Sequence, residues 1–129
     1  MKNAVLLGLL LTVSFGSFAQ KKHHSNKNHQ MLRHVVIFKF NDSSSPKDVE
    51  NVAQTFAALY GKVPQIAAFE WGVNVSKENF AQGFTHCFVL SFKSEKDADD
   101  YQLHQAHKDF QTVLRPHMEK VFVVDYWTK

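Results

Sequence analysis

Cysteine, net charge and long apolar runs are all scarce in this sequence, and each shortage removes a class of explanation. Cys87 is the single cysteine among 129 residues, so no disulfide can form within the chain and only a second chain could supply a bridge. It sits in the middle of an alternating run, on the side opposite His86, where burial is the plain expectation. A nucleophilic thiol needs a neighbouring cation or base, and the local sequence offers none. Formal charge is only +3, and no basic stripe interleaved with aromatics runs through the part expected to fold, which argues against nucleic acid as a partner. The apolar run Ala4 to Phe15 falls short of the roughly 20 residues that span a bilayer.

What that run does match is an export signal. Lys2 supplies the positive start and Ser17-Phe18-Ala19 the small-x-small cleavage pattern. Residues 1–19 are therefore expected to be a signal peptide cut after Ala19, leaving a periplasmic or secreted protein without membrane contact; an uncleaved anchor is the alternative. No cysteine stands near the cut to take a lipid. Residues 20–31 form a polar linker with Lys21, Lys22, His23, His24, Lys27 and His29, lacking the apolar periodicity that ordering needs. Its three histidines could capture a metal weakly; a solvated tether is the simpler reading, and no metal site is expected.

Abundance lies elsewhere: 12 phenylalanines and 44% hydrophobic residues promise a core for one domain over residues 32–129. Leu32 to Phe40 reads as a strand, with His34, Val36, Phe38 and Phe40 on one side and Val35 and Ile37 on the other. Ser45-Pro46 caps a helix that runs to about Tyr60, with Val49, Val52, Ala53, Phe56 and Leu59 on one face; Gly61 ends it. Pro64 to Val75 is a second strand, where Gly72 suggests a bulge or a close backbone approach. Gly83 to Phe92 is a third, placing Phe84, His86, Phe88, Leu90 and Phe92 on one side. Ser94 and Asp97 start a second helix, interrupted near His107 and stopped by Pro116, and Lys120 to Trp127 is the fourth strand.

Strand, helix, strand, strand, helix, strand is the ferredoxin-like βαββαβ arrangement, an α+β fold with a four-stranded antiparallel sheet. Both helices cover one sheet face. The other is expected to carry Phe38, Phe40, Phe84, Phe88 and Phe92, too apolar to meet water, and to find its cover in a second copy.

Five motifs in this order and spacing resemble the stress-responsive dimeric α/β-barrel (Dabb) family: Leu32 to Phe40, Trp71-Gly72-Val73-Asn74-Val75-Ser76, Gly83-Phe84-Thr85-His86, Tyr101-Gln102-Leu103-His104-Gln105-Ala106-His107, and Val123-Val124-Asp125-Tyr126. The resemblance implies a ferredoxin-like subunit that dimerises into an α/β barrel. The family includes plant stress proteins and a plant polyketide cyclase, whose working tyrosine and histidine match Tyr101 and His107 by motif. Its pocket histidines correspond to His34 and His86. Gln105 stands where the family pattern has proline, a departure that bears on the helix break and on the aim of His107.

An imidazole near neutrality in an apolar pocket can take and return a carbon-acid proton, and a tyrosine hydroxyl can stabilise the enolate oxygen that forms. Tyr101, His104 and His107 keep within about a third of a helix circumference at steps of three, so all three could face His34 and His86. The pocket residues then comprise His34, His86, His104, Phe38 and Phe88. Structural roles stay open beside these: hydrogen-bonded core histidines, a capping or packing role for His104, an interface tyrosine. The His-x-x-His pair lacks the spacing and glutamate of the helical zinc motif, so no metal or other cofactor is expected. The leading expectation is an exported homodimer holding a small hydrophobic ligand. The alternative is a cofactor-independent cyclase, isomerase or lyase with His107 as base and Tyr101 beside it. A third, heme handling or cofactor-free oxygenation, rests on barrel architecture alone.

Overall fold

A computed structural model describes residues 30–129; the expected signal peptide, 1–19, and linker residues 20–29 lie outside them. The order is β1 (Leu32–Phe40), α1 (Pro46–Ala57), a 3₁₀ turn (Ala58–Gly61), β2 (Ala68–Val73), β3 (His86–Phe92), α2 (Glu95–Leu103), α3 (Gln105–Leu114) and β4 (Met118–Trp127). The strands form one antiparallel sheet in the order β2-β3-β1-β4.

Local chemistry explains the element starts. The Ser45 hydroxyl accepts from the Asp48 amide at 3.2 Å while the Asp48 carboxylate accepts from the Ser45 amide at 3.0 Å, and Pro46 fills the first helical position. The Ser45 hydroxyl also donates to the Asp48 carboxylate at 2.6 Å, and this bond together with that from the Ser45 amide holds the carboxyl below its usual range. Ser94 caps α2 through the Asp97 amide at 3.0 Å. Gly83 turns the chain into β3 at φ 84°, where a side chain is strained. β2 starts later than expected because Val63 and Ile66 are spent on a buried turn before Ala68.

The phenylalanines do not lie where alternation alone suggested. Phe38, Phe40, Phe88 and Phe92 face the helices and are buried there. Phe56 of α1 stacks on Phe110 of α3 at 4.4 Å and 16°, and meets Phe88 at 4.6 Å and Phe38 at 5.8 Å. Rings from α1 and α3 meet rings from β1 and β3, so the larger side chains fill the space between helices and sheet. Phe84 departs from the set altogether: it precedes β3, follows the left-handed pair Gln82 and Gly83, and packs against Phe122 on the opposite face.

That opposite face is left to the smaller alternates. Val35, Ile37, Cys87 and Val89 are half-buried, and Phe122, Val124 and Tyr126 are exposed. Of these, Ile37, Cys87, Val89 and Phe122 border, with Gly72, Phe80 and Phe84, a concavity of about 680 Å³. Gly72 itself pairs in regular register with Cys87, and a Cβ there meets nothing within 4 Å, so neither a bulge nor a close approach is present at it. The irregularity falls on the other side of the sheet: between Lys39 and Phe40 the pairing with β4 jumps from Lys120 to Met118, leaving Glu119 as the extra residue. Its carboxylate pairs with Lys39 at 2.8 Å.

Phe56→Ala is expected to cost about 3–5 kcal/mol of unfolding free energy, read from urea denaturation; a loss near 1 kcal/mol would mean that the ring stack is not the centre of the core.

Candidate active site

The second helical segment is two helices. His104, at φ −65° and ψ 137°, ends α2, and its Nδ1 accepts from the Ala106 amide at 3.1 Å to start α3. The break thus comes one turn before His107, and His104 is occupied as its cap. Gln105 takes the first position of α3, the place suited to proline, so the bend stands here without a proline and with a ring nitrogen as its cap. Tyr101 and His107 consequently meet across a bend rather than along one stripe, their rings 4.3 Å apart.

Beside them lies a cavity of about 410 Å³ between α2, α3, β1 and β4. Its polar end has Tyr101, His107, Gln102, His34 and Asp125; its apolar wall includes Val36, Phe38, Phe56, Phe110, Val121 and Val123. His34 pairs with Asp125 in the β1–β4 register, and its Nδ1 stands 2.7 Å from Asp125 Oδ1. A carboxylate can only accept, so Nδ1 carries a proton and donates this bond. The His34 ring lies 5.9 Å from that of Tyr101.

His107 is ordered in the same way. Its Nδ1 donates to the Gln102 carbonyl at 3.3 Å, leaving Nε2 with its lone pair. Burial lowers its pKa, the Gln102 bond opposes this, and His34 adds a further lowering, so the ring is neutral at pH 7. Tyr101 is 1% exposed, and its hydroxyl has no hydrogen-bond partner among the described residues. Burial raises the phenol far above its ordinary value; it stays protonated and can donate. A neutral imidazole with a free lone pair next to a protonated phenol can accept a proton while an oxygen nearby gains charge.

Of the residues singled out in the sequence, Tyr101, His107, His34 and Phe38 line this cavity, and His86, His104 and Phe88 do not. His86 is on β3, paired with Phe38, which lies four residues along β1 from His34; its Nδ1 is 2.8 Å from the Thr85 hydroxyl and its ring stacks on Trp71 at 13°. Phe88 is enclosed in the aromatic core. Cys87 faces the open side, where burial and the Glu70 carboxylate raise its pKa. Among the described residues no three His, Cys, Asp or Glu side chains gather as a metal site. Asp125 carried no assigned role in the sequence, although its place two residues after Val123 in an apolar strand puts a carboxylate on the cavity side.

Comparison with known proteins agrees with this architecture. A stress-response A/B barrel domain-containing protein of Arabidopsis thaliana, HS1, is 37% identical over 95 residues, covering 74% of this chain and 87% of that protein. Olivetolic acid cyclase of Cannabis sativa is 30% identical over 95 residues, 74% and 94% of the two chains. Among solved structures, hydroxynitrile lyase of Passiflora edulis superposes with a TM-score of 0.73 at 23% identity, over 78% of this chain and 95% of that one. A dimeric ferredoxin-like protein of Bacteroides fragilis does so with a TM-score of 0.63 at 24% identity, over 76% and 96%. The model of the stress responsive A/B barrel domain matches residues 32–128, and the chain belongs to that family, Dabb.

Proposed function

We propose that the protein is an exported homodimer in which each subunit holds a small hydrophobic ligand in the cavity beside His107. The observation that carries this reading is the Tyr101 hydroxyl, buried at the cavity wall without a partner among the described residues. An unpaired buried hydroxyl costs about 1–3 kcal/mol, and a ligand oxygen that accepts from it removes the cost. Dimerisation is supported by the apolar sheet face of Val35, Ile37, Val89, Phe122 and Val124, too extensive to suit a monomer, and by the dimeric ferredoxin-like neighbours. Export is supported by Lys2, the run Ala4 to Phe15 and Ser17-Phe18-Ala19.

A second reading adds chemistry to binding: cofactor-independent proton transfer of the cyclase, isomerase or lyase kind. His107 favours it, because burial keeps the ring neutral and the Gln102 bond frees Nε2 to act as base. Tyr101 supplies the donor for the oxyanion. The cyclase among the relatives is in keeping with it.

Tyr101→Phe is expected to stabilise the ligand-free protein by about 1–3 kcal/mol in denaturant unfolding while weakening ligand retention; a destabilised variant would mean that the hydroxyl has a partner.

Acid should destabilise the fold through His107 and His86, both lowered chiefly by burial from the ordinary 6.5. The unfolded chain takes up these protons first, so their contribution is complete above about pH 6.5 and falls as pH drops through the lowered folded values. Urea midpoints between pH 7.5 and 5 should decline, less steeply in His107→Gln; a flat profile would remove the neutral-base assignment.

Native mass spectrometry of exported protein should show two subunits, each beginning at Gln20, and Ile37→Asp should leave single subunits. A wild-type monomer, or an intact N-terminus, would count against assembly or export respectively.

A further inference from the structure

Three polar side chains stand in a row along α3. His107, Gln111 and Arg115 are spaced four apart, and all three line the same cavity. At 1.5 Å rise per residue, Arg115 lies about 12 Å along the axis from His107. Between these ends the wall is apolar: Phe110 and Leu114 on α3, with Val121 and Val123 facing them from β4. Two residues at the cavity carry permanent charge, Asp125 and Arg115. Asp125 is already bonded to His34. Arg115 is exposed and has no carboxylate partner among the described residues.

We propose that the ligand of this cavity is an ionised amphiphile, a carboxylate whose head pairs with Arg115 at the mouth and whose apolar body runs inward toward Tyr101 and His107. The guanidinium fork presents two parallel N–H donors that match the two oxygens of a carboxylate. The Gln111 amide, one turn deeper, can donate to the same head. The apolar wall between Gln111 and His107 then receives the hydrocarbon, and the distance between the two polar ends sets the length of the molecule at about 12 Å less the reach of the arginine. This inference rests on the cavity being the ligand site, as proposed above.

The test uses two probes with one skeleton, octanoate and octan-1-ol, titrated calorimetrically into the purified protein and into Arg115→Gln. Arg115 is exposed and lies at the end of α3, so the substitution leaves the core untouched. The wild type is expected to bind octanoate about tenfold or more tightly than octanol, with a preference that weakens as salt rises; Arg115→Gln should bring octanoate to the level of octanol and leave octanol unchanged. Equal binding of the two probes by the wild type, or octanoate binding undiminished in Arg115→Gln, overturns the inference while the cavity reading stands. Binding of neither probe overturns both.

Discussion

Phe56 and Phe110 reach the sheet from two different helices and stack on one another over Phe38 and Phe88, and the remaining geometry follows from that meeting. The stack holds α1 against α3 and presses both onto the central strands β1 and β3. Aromatic pairs add to ordinary burial when tilted or offset, and every ring here finds such a neighbour. The stack does not reach the edge of the sheet. Beyond Phe38 the layer continues into the smaller Val121 and Val123 of β4, which stay 45% and 47% exposed. Large rings in the centre and small side chains at the edge leave a space there, and Tyr101, His107 and His34 stand around it. The site is thus where the core runs out of bulk.

The two faces of the sheet divide the chemistry. Under the helices lie the rings and histidines; on the open side lie short aliphatics, Cys87 and the Phe84–Phe122 pair. A covering chain on the open side leaves the cavity beside α3 a property of the single subunit.

Much of this was legible in the sequence, for identifiable reasons. β1 has the bounds that period-two alternation indicates, and Ser45-Pro46 starts α1 as a cap should, because both signals are local. Which side of the sheet the helices would choose was not legible. Val35 and Ile37 are as apolar as Val36, and only the volume of rings brought in by α1 and α3 decides between them. The helix break falls at His104 rather than near His107, and no proline marks it; a histidine that serves as a cap looks like any other histidine. Tyr101, His107 and His34 were recognisable and do come together, while His86 shares the strand face of His34 but lies too far along it. Asp125 is inward by parity with Val121 and Val123, but a single carboxylate near the end of an apolar strand does not stand out as functional. Gln102 acts through its carbonyl, which no side-chain pattern can reveal.

The extra residue at Glu119 reconciles two counting schemes. Before it, the even-numbered Met118 turns toward the core with Phe40; after it, the odd-numbered Val121, Val123 and Asp125 do. Without the bulge one of those groups would point the wrong way. A change of chain length between α3 and Lys120 meets a place where the ladder is already interrupted, and can be taken up there. The same change between Lys120 and Asp125 rotates the whole cavity wall outward and parts Asp125 from His34, so the family should tolerate insertions on one side of Glu119 and refuse them on the other.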